Sequence, residues 1–323
     1  MGRFLRFAAM SLLLVVVLGI GFLGWASAAS SRSLARTFNT HVVEFPVPYS
    51  VADEEVAARG LSREEADRLA MVQALERGEH LIRARYGCTH CHGDDFGGGV
   101  MVDAFPLGTL LGPNLTAGRG GVVADYSAAD WDRVVRHGIL PDGRPAVMPS
   151  EDFLLMSDQE LSDIIAYIGA VPAVDNEVPL SRLGPLGKVL MALGQIPLSV
   201  DLIGTHETDH PFLPPPTLVS VEFGQHLGGV CTGCHSMTLA GGPVAGGDPS
   251  WPPAANLTPH PDGLAGWTYA DFRTAMLEAR RPDGTGIGAP MTFMTPSAEA
   301  MTEVEMEALW LFLQSLEPRP TPR

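Results

Sequence analysis

The chain has 323 residues, 46% apolar and 18% charged. Its 36 Gly and 27 Pro make up 63 residues, below the roughly 25–30% share of an unstructured low-complexity chain. Disorder is therefore excluded, and the length suits two small domains or one large one. A net charge of −16 with no basic stripe argues against a nucleic-acid partner and leaves room for a positively charged protein partner. Four cysteines are too few for a disulfide scaffold.

Taken in chain order, residues 1–31 come first. From Phe7 to Ser31 run 25 uncharged, mostly apolar residues, with Arg3 and Arg6 before them and Arg32 and Arg36 after. As a helix at ~1.5 Å per residue this exceeds the ~30 Å of a bilayer core. The alternative is a cleaved signal segment, since Ala26-Ser27-Ala28 fits a cleavage site, though the apolar run is long for one. Under either reading the leading arginines favour a cytoplasmic amino terminus and export of the chain beyond Arg32, so the cysteines meet an oxidising compartment. Residues 32–73 form a leader in which Asp53-Glu54-Glu55 and Ser62-Arg63-Glu64-Glu65 mark helix starts on an acidic surface.

An internal repeat governs the rest. Gly78-Glu79-His80-Leu81, Cys88-Thr89-His90-Cys91-His92, Asn114-Leu115-Thr116, Asp130-Trp131 and Asp142-Gly143 recur as Gly224-Gln225-His226-Leu227, Cys231-Thr232-Gly233-Cys234-His235, Asn256-Leu257-Thr258, Asp271-Phe272 and Asp283-Gly284. The intervals from first Cys to Asn are 26 and 25, from Asn to Asp 16 and 15, and on to the Asp-Gly turn 12 and 12. This places domains at 74–172 and 219–318, a Pro-rich linker at 173–218 and a tail at 319–323. The linker is expected to pack on a domain, with the membrane surface as the alternative.

Both domains read as all-helical. Each closes on an amphipathic helix opened by a capping box, Ser157-x-x-Glu160 and Thr302-x-x-Glu305. Leu161, Ile164, Ile165 and Ile168 line one apolar face, and Met306, Leu309, Leu313 and Leu316 the other. Glu76 to Tyr86 and Val221 to Leu227 can form the opening helices, and no convincing alternation of strand type occurs. Long Gly-rich middles leave such small domains short of core.

All four cysteines lie in two Cys-x-x-Cys-His motifs: Cys88, Cys91, His92 and Cys231, Cys234, His235. This spacing lets two thiols reach the two vinyl groups of a haem while the next residue, His, binds the iron. A redox dithiol or half a zinc site is the competing meaning of a bare Cys-x-x-Cys. Two covalent haems would also supply the missing apolar volume.

On these motifs, with Asn-Leu-Thr, Asp-Gly and the Ser157-Asp-Gln-Glu-Leu161 helix, the chain resembles the bacterial class I c-type cytochromes. Within them it is most similar to membrane-anchored dihaem cytochromes and to the cytochrome subunits of periplasmic dehydrogenases. The resemblance covers about 200 residues. The chain departs from three-haem alcohol dehydrogenase subunits in having two motifs and an amino-terminal anchor. The resemblance implies two tandem class I cytochrome c domains after a transmembrane helix, with a Met ahead of each last helix as sixth iron ligand. Met148 holds that place in the first repeat. In the second, Met291 lies 35 residues after Asn256, against 34 from Asn114 to Met148, whereas Met294 lies 7 before Met301, against 8 from Met148 to Met156. The family's Phe-Met-Pro pattern favours Met294, with Met291 the alternative. The resemblance also implies that Asn114, Asn256, Trp131 and Trp267 line the haem edges.

His80, His90, His137, His206, His210, His226 and His260 are read as surface or core residues, with His137 and His260 the exceptions to watch as ligands. The function expected is electron transfer without catalysis. The chain would relay single electrons, on the exported face of the inner membrane, from a dehydrogenase or quinol-oxidising complex to an acceptor such as an oxidase or reaction centre. The rival is a dihaem cytochrome c peroxidase, which needs one open iron and a positioned acid or base.

Overall fold

The computed structural model describes residues 2–40, 42–206, 209–244, 247 and 251–322; Met1 of the anchor and Arg323 of the tail lie outside them. Helix α1 (Gly2–Leu34) is the apolar segment drawn out to 33 residues, about 50 Å at ~1.5 Å per residue. Its large side chains from Phe4 to Leu23 are exposed, whereas Ala26 and Ser30 are buried. The leader contributes α2 (Asp53–Arg59) and α3 (Arg63–His80), the latter opened by a Ser62/Glu65 capping box. Helix α3 runs through the boundary drawn at residues 73/74 and continues as a π-helical segment, Leu81–Tyr86, to the first haem motif.

That motif carries α4 (Thr89–His92). Strands β1 (Gly99–Ala104) and β2 (Gly108–Gly112) come next as an antiparallel hairpin. After them lie α5 (Ala128–His137), a 3-10 turn at Ser150–Phe153, and α6 (Asp158–Ala170). In the linker, β3 (Arg182–Leu183) pairs with β2, α7 (Pro185–Ala192) packs on α1, and α8 (Ser199–Leu202) packs on the Ser150–Phe153 turn. The linker thus covers the first repeat and packs on α1. The three-stranded sheet corrects the all-helical expectation. Its strands are short, glycine-bounded and half exposed, so no one-sided apolar alternation marks them, and the third comes from some 70 residues away.

The second repeat is α9 (Val221–Leu227), a 3-10 turn at Gly228–Cys231, α10 (Thr232–His235), α11 (Tyr269–Glu278), a 3-10 turn at Met291–Met294, α12 (Thr295–Ala300) and α13 (Glu303–Ser315). Helix α3 packs on α6 and α9 on α13. Each crossing is close enough to need a glycine: a Cβ on Gly78 would strike the Asp163 carbonyl, and one on Gly224 the Ala308 carbonyl. Each crossing lies on its own apolar core. Ile82, Phe96, Trp131, Phe153, Met156 and Leu161 anchor one, and Phe223, Leu264, Phe272, Met306, Leu309 and Leu313 the other.

The other repeated landmarks also have structural tasks. Asp130 and Asp271 are the third residues of capping boxes closed by Ser127 and Thr268, which start α5 and α11. Asp142 and Asp283 accept the N–H groups of Arg144 (3.0 Å) and Thr285 (2.9 Å) and so tighten the turns.

The two repeats meet through a reciprocal arrangement. The Leu81–Tyr86 segment packs on α12, and the Gly228–Cys231 turn packs on the Ser150–Phe153 turn. His80 Nε2 lies 2.9 Å from the Glu305 carboxylate and His226 Nε2 2.8 Å from Glu160. Arg85 donates to both acids, to Glu305 at 2.7 Å and to Glu160 at 2.9 Å, with its guanidinium over the Phe223 ring. Each acid is therefore shared between the cap of its own last helix and the other repeat.

Candidate haem-binding sites

Cys88 precedes α4, and one helical turn carries Cys91 and His92 round with it. Cys231 precedes α10 in the same way. All four thiols are free of disulfides. Burial pushes Cys88 and Cys231 each up to about 12, and raises Cys91 and Cys234 as well. Such thiols stay protonated, unlike the low-pKa thiolate of a redox dithiol. Among the described residues, neither motif gathers three His, Cys, Asp or Glu ligand atoms within 4.8 Å, so zinc has no ready-made cage here.

The histidines point to iron instead. His92 Nδ1 lies 3.0 Å from the Pro113 carbonyl, and His235 Nδ1 2.7 Å from the Ala255 carbonyl. A carbonyl oxygen only accepts, so each Nδ1 carries the proton and each Nε2 keeps its lone pair for a metal. Burial lowers both rings' proton affinity, partly offset by these bonds, and favours the neutral form that ligation requires. The surroundings fit haem: Cys88 and Met148 pack against the first core together with Tyr86, Val123 and Tyr126, and Cys231 and Trp267 against the second. Trp131 is buried in the first core.

Met148 is half-buried, and its loop is held from the linker. Its carbonyl accepts from the Ser199 hydroxyl and from the Ser150 N–H (2.9 Å), and Ser199 Oγ accepts the Ser150 N–H (3.1 Å). Met291 and Met294 sit at the two ends of one 3-10 turn, both half-buried and neither part of the second apolar core. Structural register does not separate them. Bridges Ile139–Pro145 and Arg280–Gly286 correspond, and Met148 lies 3 residues beyond Pro145 while Met291 and Met294 lie 5 and 8 beyond Gly286. Counted back from the last helices, which begin at Asp158 and Glu303, Met148 stands at 10, Met294 at 9 and Met291 at 12.

The amides of Asn114 and Asn256 spend their donors within the chain. Asn114 Nδ2 donates to the carbonyls of Val174 (2.7 Å) and Asn176 (3.2 Å), while its Oδ1 accepts from the Thr116 N–H and hydroxyl. Asn256 Nδ2 donates to the Arg319 carbonyl (2.7 Å) and to the Thr321 hydroxyl oxygen (3.3 Å), and its Oδ1 accepts from the Thr258 N–H and hydroxyl. Both asparagines pin the chain that leaves the last helix, so residues 174–176 and 319–321 belong structurally to the repeats they extend.

Two structural features escaped the sequence. The His80, Arg85, Glu160, His226 and Glu305 clasp uses residues that were visible only as repeat landmarks or cap residues. Asp152, next to the Met148 loop, faces the second motif, where a side chain on Gly233 would press on its carboxylate. Burial and the neighbouring Glu151 raise Asp152 to about 7, against the Gly233 N–H.

Residues 73–168 match the family described as cytochrome c oxidase, cbb3-type, subunit III. The chain is 28% identical over 280 residues to the alcohol dehydrogenase (quinone) cytochrome c subunit of Gluconacetobacter polyoxogenes, covering 76% of this chain and 56% of that protein. It is 27% identical over 286 residues to the gluconate 2-dehydrogenase cytochrome c subunit of Pantoea cypripedii, covering 78% and 61%. A diheme cytochrome c-type protein of Cereibacter sphaeroides is 24% identical over 265 residues, covering 74% and 84%. The chain thus spans little more than half the length of the dehydrogenase subunits it matches. Residues 73–168 are a c-type cytochrome domain, which implies covalently bound haem c, and the chain is a relative of the cytochrome c subunits of dehydrogenases.

Proposed function

We propose that the chain is a membrane-tethered dihaem cytochrome of two tandem class I domains. It would relay single electrons on the exported face, from a dehydrogenase or quinol-oxidising complex to a terminal acceptor. In this reading Cys88 and Cys91 attach one haem and Cys231 and Cys234 the other. His92 with Met148, and His235 with Met294 or Met291, hold the irons. Bound haem supplies a one-electron couple, and a thioether ligand raises its potential and shuts out small molecules.

The observation that carries the relay is the reciprocal contact between repeats. The segment leading into each Cys motif packs on the segment just beyond the other repeat's candidate Met. Haems held by the two motifs would then be borne on adjoining segments, which suits passing an electron from one to the other. The Arg85 clasp keeps that spacing constant, since both of its acids are buried. Support for a retained anchor is local: the residues around the would-be cleavage site are docked on α7, with Ala26 buried and Lys188 Nζ 3.2 Å from Ser27 Oγ. The relatives are named as cytochromes and dehydrogenase cytochrome subunits, which favours a carrier over a peroxidase.

Purification from detergent-solubilised membranes tests the proposal. The expected result is an intact mass greater by two haems, two one-electron steps in a redox titration, and a co-purifying oxidoreductase. Fewer than two haems in matured protein, or rapid turnover of peroxide with a reduced donor, would overturn it.

A further inference from the structure

Away from the haem motifs, α5 and the linker bring together three buried side chains that the electron-transfer reading does not use. Asp132 and His137 stand on α5, His210 comes from the linker, and one oxygen or nitrogen from each lies within 4.8 Å of the others. His137 Nε2 and His210 Nε2 are 3.1 Å apart, His137 Nε2 is 3.8 Å from Asp132 Oδ2, and His210 Nε2 is 4.0 Å from Asp132 Oδ1. Ligands at ~2.0–2.1 Å from a tetrahedral zinc ion lie about 3.3–3.4 Å from one another. The two imidazole nitrogens already stand near that spacing, whereas their contacts to Asp132 fall on different carboxylate oxygens, and one oxygen must draw in by at least about 0.5 Å to close on such an ion.

The surroundings orient the ligands as a metal site does. His206 Nε2 is 3.0 Å from the Val200 carbonyl, which only accepts, so this nitrogen carries the proton. His206 Nδ1, 3.4 Å from His137 Nδ1, is then placed to accept from it. His137 accordingly holds its proton on Nδ1 and turns an Nε2 lone pair toward His210 and Asp132. Arg136 grips Asp132 Oδ1 at 2.6 Å and Asp158 Oδ1 at 2.8 Å, which fixes the Asp132 carboxylate in place.

We propose that Asp132, His137 and His210 form a divalent-cation site, suited by its two imidazoles and one carboxylate to zinc, which staples the linker to α5. The ligand set is that of borderline cations and differs from the all-oxygen sets of calcium and magnesium. The staple would close a loop between residues 132 and 210, and the same linker holds the Met148 loop through Ser199.

The test uses the full-length haem-loaded protein in detergent, stripped with a chelator and titrated with zinc chloride. Elemental analysis with haem iron as the internal count should show one zinc per chain. Zinc-edge X-ray absorption should show a nitrogen and oxygen shell at ~2.0–2.1 Å without sulfur. His210→Ala, in the linker, should abolish stoichiometric binding. His206→Gln, which removes an orienting partner and no ligand, should weaken it ~10–100-fold. Less than stoichiometric zinc in the unaltered protein, a shell lacking imidazole, or undiminished binding by His210→Ala would overturn the proposal and leave a metal-free hydrogen-bonded histidine pair. If His210→Ala does not fold, the stoichiometry and absorption shell of the unaltered protein decide alone.

Discussion

The two repeats share their landmarks but are finished differently. The first is walled in: Phe45 from the leader enters its core, the hairpin β1–β2 and strand β3 cover the region after its Cys motif, and α8 holds its Met loop. In the second, the candidate Met residues sit on a 3-10 turn that leads directly into α12, and Phe293 between them is exposed. The shared residues are those that shape each repeat: the crossing glycine, the Cys-x-x-Cys-His turn, the asparagine that catches the departing chain and the capping boxes. The unshared ones decide what each repeat touches. The comparison teaches that the first repeat is built to carry the amino-terminal helix and linker, and the second to be held by the first through Arg85 and the two His–Glu contacts.

The strongest way to break this comparison is to remove one haem. Changing Cys88 and Cys91 to Ala should cost one haem in the intact mass and unfold the first repeat, because the core it completes is small. Circular dichroism should show a loss of helix, and the leader and linker packed on that repeat should become open to protease.

The candidate ligands come next. Met148→Ala should convert one haem to a high-spin form that binds cyanide, and lower its potential in a redox titration. Met294→Ala and Met291→Ala, made separately, should divide so that only one of them does the same to the other haem. A change in neither would remove the second repeat's methionine ligation.

Arg85→Met tests the clasp. Leaving Glu160 and Glu305 buried without their shared cation should destabilise the protein by about 3–5 kcal/mol, as breaking a buried ion pair does. Denaturant unfolding should then show two transitions in place of one, since the repeats would lose their coupling.

The acid limit of stability reads the same clasp more gently. Burial alone would raise the Glu305 carboxyl, yet His80, Arg85 and the Thr302 N–H hold it at about 2, below its ordinary 4.5. A carboxyl depressed by folding stabilises above its unfolded value and loses that contribution as pH falls through the folded one. Stability should drop by roughly 2–3 kcal/mol between about pH 5 and about pH 2, and Glu305→Gln should flatten that drop.

Asp152 gives the smallest and opposite effect. A carboxyl raised to about 7 by burial and Glu151 contributes stability at low pH and loses it as pH rises through that value. Asp152→Asn should therefore stabilise the protein by on the order of 1 kcal/mol at about pH 8, and by less at about pH 5, in thermal melts.

How much of the structure is legible in the chain depends on the range of the interaction. Capping boxes at Ser62, Ser157 and Thr302, the period of α6 and α13 and the Cys-x-x-Cys-His turns are local, because each partner lies within one helical turn. The sequence by itself determined them, together with the repeat and the long apolar helix. Only the tertiary structure decided what the repeated positions do across space. Asn114 and Asn256 catch residues some 60 positions away, a two-residue strand completes a sheet, and His80 and His226 reach the other repeat's acids. Such pairings carry no period in the chain, since hydrogen bonds and ion pairs between distant segments are set by how the helices cross. The convergence of Asp132, His137 and His210 has the same origin: a helix and a linker with no sequence signal in common, folded against one another.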